Sequence, residues 1–172
     1  MTTTKAYTES QLVNASAGSM TLLSTTTLSG NSTTISGISQ SYTNLMVVLP
    51  KFYSGTATGR QIQIWPNGTS GKGFSGNAYP SSVVTNSSNI TDNTNGMASG
   101  DVGATAVLQI INYSDTNMYK PFLFYGNDFP YSAGQSLPFL QAGVIATNSG
   151  IISLTFDGNG VLLGSVKIYG VN

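Results

Sequence analysis

The chain has 172 residues with six Lys or Arg, six Asp or Glu and no His, so it is neutral at pH 7 and only 7% charged, against roughly 25% in an average soluble domain. Ser, Thr, Asn and Gly supply 79 of its residues, which builds the surface from hydroxyls, amides and bare backbone and disfavours helix. Six scattered cations argue against a nucleic-acid partner, the absence of Cys removes disulfides and thiolate metal sites, and no apolar run approaches the roughly 18 residues of a membrane helix.

Residues 1–18 are small and polar without period and are expected to form an N-terminal arm, leaving residues 19–172 as one domain. Met1–Ser10 lacks the apolar stretch of a secretory signal. Met20–Leu28 is rich in β-formers and ends at Ser29-Gly30-Asn31. Leu45–Leu49 is an unbroken apolar run closed by Pro50 and reads as a strand buried on both faces. Gln61–Trp65 alternates strictly and stops at the turn signal Pro66-Asn67-Gly68. Gly68–Ala78 and Asn86–Gly103 are too polar for core and are expected as surface loops. Val102–Ile111, Pro121–Tyr125, Phe139–Ala146, Ile151–Phe156 and Val161–Tyr169 are further strands, the last two flanking Asp157-Gly158-Asn159-Gly160, which reads as a tight hairpin. No 12-residue segment carries helical apolar spacing. Eight to ten short strands predict an all-β, antiparallel β-sandwich, jelly-roll-like, with an extended N-terminal arm.

Candidate chemistry is sparse. Without His there is no Ser-His-Asp or Cys-His arrangement and no imidazole zinc site. Ser70-Gly71-Lys72 and Ser165-Val166-Lys167 lack the spacing of a Ser-Lys nucleophile. Glu9 falls in the arm, and Asp92, Asp101, Asp115, Asp128 and Asp157 read as turn or loop residues rather than a paired acid and base. Gly71-Lys72-Gly73 lacks the hydroxyl and spacing of a phosphate loop, and Asp92–Gly96 departs from a calcium loop. No catalytic, cofactor-binding or metal residue is assigned, and the chain is read as no enzyme. The aromatics Tyr119, Phe122, Phe124, Tyr125, Phe129 and Tyr131 crowd into 13 residues. They pack a sheet end or face a partner, since interfaces favour aromatics and exclude charge. Tyr119, Phe122, Phe129 and Tyr131 are therefore candidate partner contacts, with Lys5 and Tyr7 as anchors in the arm.

Four segments carry a resemblance. Gly164–Val171 (GSVKIYGV) resembles a terminal strand found in many tailed-phage virion proteins, Leu22–Gly30 (LLSTTTLSG) their opening strand, Ser41–Leu45 (SYTNL) a further strand start, and Asn112–Phe122 (NYSDTNMYKPF) an internal segment. Order and spacing agree across residues 22–171. The resemblance implies a jelly-roll-like virion module without catalytic residues, occurring as a capsid decoration protein or as the tip of a tail fibre. No coiled-coil or repetitive shaft precedes the module, which points to a decoration (cement) protein. It would bind the major capsid protein on the outer surface of the head as a homotrimer, with no cofactor, nucleic acid or membrane. The alternative is a tail fibre or receptor-binding tip holding host-surface glycan, for which Trp65 before Pro66-Asn67 is the best stacking residue.

Overall fold

The computed structural model describes residues 19–54, 62–68, 74–79, 84–87, 90–91, 103–128, 137–158 and 160–172. The arm, with Lys5 and Tyr7, and also Phe129 and Tyr131, lies outside them. The described residues form twelve strands and no helix: β1 (Met20–Leu28), β2 (Ser32–Ser36), β3 (Asn44–Ser54), β4 (Ile62–Pro66), β5 (Phe74–Tyr79), β6 (Val84–Ser87), β7 (Ile90–Thr91), β8 (Ala104–Ile110), β9 (Lys120–Asp128), β10 (Leu137–Ile145), β11 (Ser153–Gly158) and β12 (Leu162–Val171).

All pairings are antiparallel and fall into two sheets. The large sheet runs β1-β12-β3-β8-β9-β10-β5-β6 and the small sheet β2-β11-β4-β7. The halves β1-β12-β3-β8 and β2-β11-β4-β7 reproduce the two four-stranded sheets of a jelly roll. The hairpins β5–β6 and β9–β10 are inserted into this frame and widen the large sheet only. The inner faces close on one core in which Val47, Leu49, Phe52 and Leu108 from the large sheet meet Ile62, Ile64, Leu154 and Phe156 from the small one. Each such side chain contributes about 1.5–3 kcal/mol by leaving water.

Three expectations change. The Asp157–Gly160 turn is not a hairpin: β11 pairs with β2 and β4, whereas β12 pairs with β1 and β3, so the chain changes sheet there. The turn residues permit a reversal but do not choose the pairing, and the edges of both strands are already occupied. The corner instead docks on the β1–β2 corner, where Gly158 N donates to Asn31 O at 3.0 Å and Leu162 N to Gly30 O at 2.7 Å. The stretches Gly68–Ala78 and Asn86–Gly103 are not wholly loop, since β5, part of β6 and β7 lie within them and Ile90 is fully buried. β5 forms by pairing with β10 despite a small, polar sequence.

Leu45–Leu49 is not buried on both faces. Leu45, Val47 and Leu49 enter the core, while Met46 and Val48 face outward and are half-buried. Nor does Pro50 end the strand. Register shifts on both flanks, between Leu49 and Phe52 against β8 and between Ser165 and Lys167 against β12, place it in a bulge. There its missing N–H breaks no ladder bond.

Candidate interaction surfaces

One end of the sandwich is assembled from segments 37–43, 111–119 and 146–152, with Asn67 and Asn172 at its margin. Its centre is Tyr113, fully buried, which donates its hydroxyl to Ser39 O, its backbone N–H to Thr43 O at 3.1 Å, and accepts from Ile151 N at 2.8 Å. Burial pushes the Tyr113 phenol upward, partly opposed by a hydrogen bond from the Tyr42 backbone. Ser114 Oγ donates to Tyr42 O at 2.7 Å, and the Tyr42 ring lies against Gly170. Asn67 holds a left-handed backbone at φ 55°. Its Oδ1 accepts from Ile152 N at 2.8 Å and its Nδ2 donates to Gly150 O at 3.0 Å.

Lys120 opens β9 inside this end with no exposed surface. Its ammonium donates to Met118 O and, at 3.2 Å, to Thr147 O. Burial lowers its affinity for the proton, and the charge of Asp115 opposes that. A buried amine held by backbone carbonyls acts as an internal tie between the 111–119 and 146–152 segments. Three of the four resemblance segments, Ser41–Leu45, Asn112–Phe122 and Gly164–Val171, thus meet here and supply its structural framework.

The framework presents apolar side chains outward. Eight large hydrophobic residues are exposed among the described residues, and four of them, Ile111, Met118, Tyr119 and Ile152, lie on these segments. Asp115 is the only acid on segments 37–43, 111–119 and 146–152. Of the sequence-predicted contacts, Tyr119 is the most exposed here at 54%. Phe122 is a correction. It is 4% exposed and points into the core, because β9 alternates and Phe122 and Phe124 share its inner face. Phe124 packs on Phe139 with centroids 5.0 Å apart and rings tilted 58°, the offset geometry aromatic pairs prefer.

The two outer faces of the sandwich differ in chemistry. On the small sheet the outward positions form the rows Thr34–Thr155–Trp65 and Ser32–Asp157–Gln63, with Ser36 beside Ser153. Thr34 and Thr155 share a hydroxyl hydrogen bond of 2.9 Å. Burial pushes the Asp157 carboxyl upward, with the Ser32 hydroxyl opposing. Asp128 and Asp157 lie in strands rather than the expected loops; Asp92 and Asp101 fall outside the described residues. Among the described residues no three of His, Cys, Asp or Glu gather as metal ligands.

On the large sheet the pattern inverts. One outward row reads Thr25–Lys167–Val48–Val107–Tyr125–Leu140 and the next Leu22–Tyr169–Met46–Gln109–Leu123–Ala142, with Met20 beside Val171. A two-layer antiparallel sandwich ordinarily turns polar residues outward. Here eleven of the fourteen positions are apolar and Lys167 is the single charge. At about 4.8 Å between strands and 6.8 Å between alternate residues, those eleven cover roughly 350 Å² in projection. That matches the size of patches that mark interaction sites. Sequence reasoning missed this face, although unbroken apolar runs such as Leu45–Leu49 carried the signal.

Comparison with family models, curated proteins and solved structures gives no match to this chain.

Proposed function

We propose that the chain is a virion structural protein, a capsid decoration protein of a tailed phage that binds the outer surface of the major capsid shell and stabilises the head. The observation that carries this reading is the sandwich end formed by segments 37–43, 111–119 and 146–152, where Ile111, Met118, Tyr119 and Ile152 stand exposed. Beneath them lies a hydrogen-bonded base of the buried Tyr113 and Lys120, with Asn67 bonded at its margin. Rigid, charge-poor apolar ends suit docking on a protein shell, because little side-chain or loop entropy is lost on contact and no unpaired charge is desolvated. The order of the four resemblance segments supports the same reading. Repetition over a symmetric shell multiplies one modest contact into a continuous reinforcement.

Quantitative mass spectrometry of purified particles tests the assignment. A decoration protein is present in hundreds of copies, and a handful would place the chain in the tail instead. Binding to empty shells tests the surface. Tyr119→Asp combined with Met118→Asp is expected to abolish co-sedimentation with shells, and undiminished binding would move the contact elsewhere.

A second reading, a tail-fibre or receptor-binding tip that holds glycan, draws on Trp65. It stands on the outer face of the small sheet beside Thr155, and its buried Nε1 has no hydrogen-bond partner among the described residues. Asp157 and Gln63 neighbour it with groups that suit sugar hydroxyls. Retention on a glycan array, lost on Trp65→Ala, would favour this reading over decoration.

A further inference from the structure

We infer that the outer face of the large sheet is an interface with a second copy of this chain, the two copies packing sheet on sheet about a twofold axis. This step is independent of the virion reading and uses a different surface from the sandwich end. It starts from the inverted polarity of the two outer faces. The outward positions of the small sheet are Ser, Thr, Asp and Gln around Trp65, while the large sheet presents Met20, Leu22, Met46, Val48, Val107, Leu123, Tyr125 and Leu140. Of these, Met20 and Leu22 on β1 are each 51% exposed and Leu140 on β10 is 44% exposed, so the barest apolar side chains mark the two ends of the apolar rows.

The occupant follows from charge, symmetry and area. Among the described outward positions the face carries two cations, Lys167 and, in the next row, Lys51, which lies over the Tyr53 ring at 5.9 Å. Under the twofold relation neither faces its own copy, so a second copy meets little repulsion. The apolar rows occupy six of the eight strands, β1-β12-β3-β8-β9-β10, whose midline lies between β3 and β8, with β5 and β6 continuing the sheet beyond β10. A twofold axis running along that midline maps the row Thr25–Lys167–Val48–Val107–Tyr125–Leu140 onto itself in reverse. Val48 then meets Val107 of the partner subunit, and Lys167 meets Tyr125 of the partner subunit. The two ammonium groups stay apart, and each approaches an aromatic ring, an attractive arrangement. The same operation covers the exposed ends, laying Leu22 against Ala142 of the partner subunit and Leu140 against Thr25 of the partner subunit.

Six strands span about 29 Å and seven residues of each about 24 Å, so the apolar rows together with the adjoining polar row that holds Ser165, Lys51, Thr105 and Asn127 give roughly 700 Å² in projection per copy. That is near the 800 Å² per partner of a standard stable interface. Facing sheets about 10 Å apart at a small crossing angle are the ordinary packing of β-sandwiches, here continued between chains. A twofold pair replaces the homotrimer expected from the sequence.

The full chain should run as a dimer by light-scattering chromatography and native mass spectrometry at about 100 μM, well above the dissociation constant of a standard interface. Leu140→Asp and Leu22→Asp, both at exposed positions, should each raise the dimer dissociation constant at least tenfold while far-UV circular dichroism and the melting profile of the monomer stay native-like. Thr34→Asp, on the outer face of the small sheet, should leave the dimer intact. A wild-type chain that is monomeric or trimeric at that concentration overturns the proposal. So does a dimer that survives both leucine substitutions, or one that Thr34→Asp dissociates.

Discussion

The ring of Tyr42 occupies the space directly over Gly170, so that a Cβ on Gly170 would fall among the ring atoms Cγ, Cδ1 and Cδ2. Tyr42 precedes β3, Gly170 sits near the end of β12, and these strands are neighbours in the large sheet. Gly170→Ala must push the ring from a site where it packs against the core, at a cost of about 1–3 kcal/mol for an overpacked position. Urea unfolding reads the loss directly. Tyr42→Ala combined with Gly170→Ala should cost less than the two separate losses added together, because the clash vanishes with the ring. Strict additivity would mean that the two residues do not share this space.

Asn67 ties the end of β4 to the start of β11 through its side chain and through its backbone N–H, which donates to Ser153 O at 2.8 Å. Asn67→Ala is expected to destabilise by about 2–4 kcal/mol, from lost hydrogen bonds and from the left-handed backbone that alanine resists. Asn67→Gly loses the same side-chain bonds but accepts φ 55° freely and should be about 1 kcal/mol less harmful than alanine. Equal losses in the two variants would remove backbone conformation from the account.

Most strands of the jelly roll were legible where apolar residues alternate or run together, as in Ile62–Trp65 and Ala104–Ile110. β5 and β6 were not, because Phe74–Tyr79 and Val84–Ser87 owe their extended state to pairing beside β10 rather than to a local pattern. Asp157-Gly158-Asn159-Gly160 announced a reversal, but the partner of each flanking strand is fixed by distant segments. The candidate surfaces were half visible. Tyr119 was identified, whereas Phe122, two residues from Phe124 on the same strand face, belonged to the core by simple alternation. The apolar run Leu45–Leu49 reads as double burial, whereas its second face, with Met46 and Val48, is a half-buried outer surface.

Lys120 links stability to alkaline pH. Burial is the main cause that draws its proton affinity below the ordinary 10.5, so between the folded value and 10.5 the unfolded chain holds more proton than the native one. Stability therefore rises with pH across that window. Tyr113 acts in the opposite sense above its ordinary 10.0, where the native chain retains a proton that the unfolded chain has lost. Lys120→Met should destabilise by about 1–3 kcal/mol at neutral pH by leaving Met118 O and Thr147 O without their donor. The deficit should widen as pH rises toward 10.5, since only the wild type gains there. Urea midpoints of both proteins across this range decide the matter, and a constant difference would show that the amine titrates normally in the native state.

Asp157 gives the acid limb. Its carboxyl is raised above the ordinary 3.8 chiefly by burial between β2 and β4, with the Ser32 hydroxyl opposing. Between 3.8 and the folded value the native chain binds more proton than the unfolded one, so this group makes stability fall as pH rises through the window. Above the folded value the ionised carboxylate remains a standing cost. Asn carries no charge at any pH and keeps the shape, so Asp157→Asn should raise the urea midpoint at about pH 7 and match wild type near pH 3, where the carboxyl is protonated in both states. The same substitution leaves the outer face of the small sheet without its acid, so the stability gain and any change in glycan retention can be read on one variant. A lower midpoint at pH 7 would mean that the carboxylate is held by a partner stronger than Ser32, and would reverse the sign of its contribution.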